Sequence, residues 1–220
     1  MSFTLFSPSW FFGYDAVLEL VFAIICLMIA LFGIKIYKKT SQQNIKLFSI
    51  AFFLISISYF IQSIFNILTI TKANEHICNV MKIQSIHLFN VLGIYTHILF
   101  MTAGLVILTF TTFKTYKEKL LWLLLTVSLI GVFVSRNSLQ IFFLFSTIYL
   151  AFLSWHFIDN YRKNRKKETL LIAIAFMLLL ASNMHFLFIT NHGVCYAIGH
   201  ILELLAYSAI LWNFYLVSKK

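Results

Sequence analysis

Proline occurs once in 220 residues, glycine seven times and cysteine three times, and only 11% of the residues are charged. So little cysteine argues against a small disulfide-stapled secreted domain, and so little Pro, Gly and charge argues against a disordered chain. The shortage of charge also argues against a water-soluble globule, where roughly a quarter of residues are charged. What fills the chain instead is apolar: 61% hydrophobic residues, 25 Phe among them, and a mean hydropathy of +0.90. The net charge of +10 sits in short clusters between apolar runs, which points to a bilayer and not to nucleic acid.

A membrane helix needs about 20 mostly apolar residues. Seven stretches come near that length, at 14–36, 46–70, 86–112, 119–135, 139–159, 169–190 and 197–217, the fourth being the shortest. The expected fold is therefore all-α: a polytopic membrane protein, a single seven-transmembrane-helix bundle. Of the 17 lysines and arginines, all but Lys72, Lys82 and Arg136 flank the first, third and fifth loops or end the chain. Cytoplasmic loops are enriched in such residues, so the N-terminus is expected outside and the C-terminus inside. Positive charge follows the first apolar run and no A-x-A site is visible, so that run reads as helix one and not as a cleaved signal. Trp10, Phe11, Phe12 and Tyr14 suit an outer aromatic anchor, and Trp122, Trp155, Trp212 and Tyr215 an inner one. The loops are short, so function is expected within the bundle or through its partners.

Ionisable residues inside a span are costly and mark function by default. Helix one carries Asp15 and Glu19, helix two the stripe Tyr59, Gln62, Ser63 and Asn66, and helix three His87, Asn90 and His97. Helix six carries Ser182, Asn183 and His185, and helix seven His200, Glu203 and Tyr207 at i, i+3 and i+7. At 1.5 Å per residue, Glu19, His87, His185, His200 and Glu203 lie within roughly 10 Å of the outer surface and His97 about 16 Å in. Helices one, three, six and seven are thus expected to line one outward-facing cavity.

Imidazoles and carboxylates are ligands for zinc, copper or iron, so His87, His185, His200 and Glu203 form a candidate metal set. Glu19, His97, Asn183 and Tyr207 form the candidate small-ligand set beside it. Haem is a second use of the same histidines, pairing His97 with His185 or His87 with His200. No C-x-x-C-H motif accompanies them. A third use, retinal, requires an interior lysine for the Schiff base; no span has one, which argues against a retinal cofactor. The blander alternative is that these polar residues only hydrogen-bond between helices.

Cys78 and Cys195 both fall in predicted outer loops, where a disulfide is expected if the compartment oxidises them, leaving Cys26 buried. His76 and His192 stand near them. The five basic residues between Tyr161 and Lys167 suit anionic lipid. No nucleophile–base set, phosphate-binding glycine loop or inverted repeat can be assembled, so binding is favoured over catalysis.

The run Ser182-Asn183-Met184-His185-Phe186, then Ile189-Thr190, Gly193, Gly199-His200-Ile201-Leu202 and Leu205-Ala206-Tyr207 resembles the closing two helices of membrane-associated sensor domains, in particular the third named class. These are the N-terminal input modules of prokaryotic histidine kinases and diguanylate cyclases. The similarity covers roughly 35 residues. Asn183 stands where such domains often have an acid and Glu203 where they often have a base, and no output domain follows. The resemblance implies a sensor-like bundle without output machinery. Taken with the polar residues of the spans, the leading expectation is a stand-alone sensor in a prokaryotic cytoplasmic membrane, binding a small ligand or metal ion in the outer-half cavity and signalling through a partner protein or another copy. An intramembrane metal or haem redox protein or metalloenzyme, and a structural membrane subunit, are the competing expectations.

Overall fold

The computed structural model describes residues 12–74, 79–113, 118–187 and 193–219. Among them the chain forms seven helices: α1 (Phe12–Thr40), α2 (Gln43–Asn74), α3 (Asn79–Thr111), α4 (Glu118–Val134), α5 (Ser138–Asn164), α6 (Lys167–Leu187) and α7 (Gly193–Lys219). Most helices run a turn or more past the apolar stretches that predict them, because a helix continues through polar flanks when nothing breaks it. The exceptions are α4, which matches its stretch to within a residue at each end, and α6, described only to Leu187. Six helices are long and apolar enough to cross a membrane; α4, at 17 residues, is not in that group.

The order of packing is a ring. Each of α1, α2, α3, α5, α6 and α7 packs on the next, α7 returns to α1, and α4 lies outside against α3 and α5. The tight turns between α1 and α2 and between α5 and α6 are made by Ser41 (φ 55°) and Arg165 (φ 52°), the latter donating its N–H to Tyr161 O at 2.8 Å. Both reverse the chain through a left-handed residue that satisfies a terminal helix carbonyl.

Small side chains set how closely the helices approach. On α2, Ser49, Ser56 and Ser63 recur every seven residues along the face toward α1. Ser56 donates to Ala23 O at 2.7 Å and Ser63 to Ala16 O at 2.8 Å. Such small-residue seams replace the hydrophobic drive that helices lack among lipid tails. Between α2 and α3 the helices approach closely at Gly104, where a Cβ would fall 3.0 Å from Ala51 O and 2.6 Å from Ile55 Cγ1.

The outside of the bundle is apolar: Ile24, Leu31, Trp122, Ile148 and Trp155 are all exposed. Water would penalise this surface, whereas lipid tails match it. The interior mixes a hydrophobic core of Phe22, Phe52, Ile55, Leu105, Phe176 and Ile210 with buried Asp15, Glu19, His200 and Glu203. Apolar outside with charge inside is the arrangement of a helical membrane bundle.

Candidate functional site

The ring encloses a cavity of about 400 Å³, within the range of small-molecule sites. Its wall is sorted along the bundle axis. At the end where α1, α3, α5 and α7 begin it carries Asp15, Glu19, Asn90, Gln140, Tyr196 and His200, joined by Gln62 and Asn66 of α2 and Asn183 of α6. Deeper in, Phe52, Met101, Leu105, Leu108, Leu150 and Phe176 make an apolar end. Gln140, exposed at the start of α5, marks where the polar end reaches the surface.

His200 is the hub of the polar end. Its Nδ1 lies 3.1 Å from Glu203 Oε2, one turn along α7, and its Nε2 lies 3.1 Å from Asp15 Oδ1 on α1. The rings of Phe22, Phe186 and Tyr196 surround it at centroid distances of 5.9, 5.1 and 4.6 Å. Tyr196 donates to Asp15 Oδ2 at 2.8 Å, and Asn66 to Glu19 Oε2 at 2.7 Å. Tyr59 donates to Glu203 Oε1 at 3.1 Å and its oxygen lies 3.1 Å from that of Tyr207. A carboxylate only accepts and a phenol has one proton, so Tyr207 donates to Tyr59 and Tyr59 to Glu203. A connected network thus spans α1, α2 and α7.

His97 is fixed separately. Ser58 Oγ is 2.8 Å from His97 O and 2.9 Å from His97 Nδ1. The carbonyl must receive the single hydroxyl proton, so Nδ1 carries the hydrogen donated back to Ser58 and Nε2 keeps a lone pair. Asn183 differs from its neighbours. It is 92% buried, lines the cavity and makes no hydrogen bond among the described residues. Gln62 Oε1, also buried in the wall, is likewise unpaired there.

The structure therefore gathers Glu19, His97, Asn183 and Tyr207, expected to bind a ligand, with His200 and Glu203 on one cavity. His185 is off it: its Nδ1 lies 3.0 Å from Ala181 O, one turn back on its own helix. The pairing of His97 with His185 is accordingly not formed on the cavity wall. The side chain of His87 and all of Cys78, His76 and His192 lie outside the described residues, while Cys195 is partly buried. Among the described residues no group of three or more His, Cys, Asp and Glu is arranged to hold a metal ion. The physical reason is visible at His200, whose two nitrogens face different carboxylates in different directions.

Helices α2 and α5 line the cavity as well as the four that were expected to. The polar stripe of α2 is plain in the sequence, but its partner on α1 is not. Tyr196 had a signal too, lying four residues before His200 and so on the same face of α7.

Fold and site together define a helical membrane bundle with an internal amphipathic cavity. No family model, curated protein or solved structure matches the chain.

Proposed function

We propose that this protein binds a small organic molecule in its central cavity and acts as a sensor-type membrane bundle, passing occupancy to a partner protein or a second copy. In this reading all seven helices, α4 included, span the bilayer, the N-terminus lies outside as the Lys and Arg distribution implies, and the polar end of the cavity opens outward. The membrane is the cytoplasmic membrane of a prokaryote. The resemblance of the last two helices to sensor input modules supports the same class.

The observation that carries the proposal is Asn183, a buried polar side chain that lines the cavity and makes no hydrogen bond among the described residues. In the same wall Gln62 Oε1 is buried and unpaired among the described residues; leaving such an acceptor unpaired costs about 1–3 kcal/mol, and a bound ligand that donates to it removes that cost. A small organic molecule fits better than a metal ion, because both nitrogens of His200 already face carboxylates.

The test is to purify the protein in lipid nanodiscs, extract it with solvent, and compare the extract by mass spectrometry with that of Ser146→Phe, which fills the cavity wall of α5. An organic compound retained at near one-to-one ratio by the first and lost from the second supports the proposal. A stoichiometric metal in the same sample, lost in His200→Ala, with no retained compound, replaces the small molecule by a metal ion.

A further inference from the structure

Resting on the reading of the cavity as a ligand site, the geometry points to an organic cation as its occupant: a protonated amine carried on a hydrocarbon body. The polar end concentrates acceptors. Asp15, Glu19 and Glu203, at 4%, 6% and 8% exposure, are three of the chain's seven acidic residues. Facing them is one imidazole, His200, so even a fully protonated ring neutralises only one of three carboxylates. Among the described residues no lysine or arginine lines the cavity.

The tyrosine hydroxyl protons that would serve an anionic ligand are already committed. Tyr196 gives its proton to Asp15, Tyr59 to Glu203 and Tyr207 to Tyr59. Acceptors that remain toward the cavity include the lone pair of His97 Nε2, Gln62 Oε1, unpaired among the described residues, the amide of Asn183, whose carbonyl oxygen accepts, and the Ser146 hydroxyl, which accepts as well as donates. An ammonium offers several N–H donors and a positive charge to exactly such a wall, whereas a carboxylate or phosphate offers neither. Aromatic faces strengthen the match, since Tyr59 and Phe142 line the same space and attract a cation to their rings.

The remainder of the cavity sets the body of the ligand. From His97 to Leu108 on α3 the wall descends about 16 Å at 1.5 Å per residue. Met101 and Leu105 belong to this stretch of wall, and Phe52, Leu150 and Phe176 line the cavity with them. That length and chemistry leave room for a chain of about eight carbons or a compact aromatic group.

The experiment uses three probes of equal length, n-octylamine, n-octanol and octanoate, titrated into nanodisc-reconstituted protein against empty nanodiscs at neutral pH. Saturable octylamine binding at least about tenfold tighter than that of octanol or octanoate is expected, with the preference for amine over alcohol lost in Glu19→Gln. If that variant fails to fold, the probe ranking on the native chain together with competition by phenethylamine serves instead. Octanol or octanoate binding as tightly as octylamine overturns the cationic ligand while leaving the cavity a ligand site. Saturable binding by none of the three overturns both.

Discussion

Removing His200 tests the electrostatics of the site most directly. In His200→Leu the carboxylates of Asp15 and Glu203, each 3.1 Å from an imidazole nitrogen, lose the group between them while staying buried. Breaking a buried ionic set by deleting one partner costs about 3–5 kcal/mol, because a charge is left uncompensated. An ordinary interhelical hydrogen bond in a membrane bundle averages only about 0.6 kcal/mol. Tyr59→Phe, which removes the bonds to Glu203 and Tyr207, is thus expected to cost about 1 kcal/mol and serves as the scale. For a chain of this size 1 kcal/mol moves the midpoint by about 2–4 °C, so His200→Leu should fall by about 6–20 °C. Cys26, fully buried in the core, supplies the readout: in a Cys78→Ser, Cys195→Ser background a fluorogenic maleimide labels it only on unfolding. The triple variant Asp15→Asn, His200→Leu, Glu203→Gln removes the orphaned charges and should recover most of the loss. A single variant within about 1 kcal/mol of the native chain, or a triple no better than the single, refutes the account.

Asn183→Ala removes a side chain that makes no hydrogen bond among the described residues, so its midpoint should stay within about 2 °C of native while retention of the cavity ligand falls. Gly104→Val should destabilise by about 1–3 kcal/mol in the same labelling assay, since its Cβ would meet a backbone oxygen that cannot swing aside. Ile24→Lys, on the outward face well inside α1 and 52% exposed, should cost about 2.5–3.5 kcal/mol of insertion and lower the yield in membranes. Tyr14→Lys, equally outward but in the first turn, should insert normally. Asp159→Asn breaks a surface pair with Lys163 and should change the midpoint by no more than about 2 °C.

Much of the architecture is legible in the chain because lipid imposes a simple rule: apolar runs of about 20 residues become helices with every backbone bond made internally. The six longest of the seven expected runs appear as helices able to span, and the shortest, 119–135, appears as the helix outside the ring. Polar residues stand out against such a background, so Glu19, His97, Asn183, His200, Glu203 and Tyr207 were visible as site candidates, and the structure places all six on the cavity. His185 looks equivalent in sequence, yet it sits two residues past Asn183, a turn of about 200° around α6. Periodicity assigns a residue to a face of its helix but not that face to a neighbour.

The sequence by itself determined the class of protein, the helices and the set of polar residues that demand a partner, because the cost of burying charge in lipid leaves few places for them. Only the tertiary structure decided which partners they took. The closing of α7 onto α1 brings Asp15 within reach of Tyr196 and His200 across more than 180 residues of chain. The packing of α2 beside α1 puts Asn66 on Glu19, and the exclusion of α4 from the ring leaves the cavity to six helices. These contacts rest on which small residues let two helices approach, and that complementarity is a property of pairs of surfaces, written in neither strand of the pattern alone.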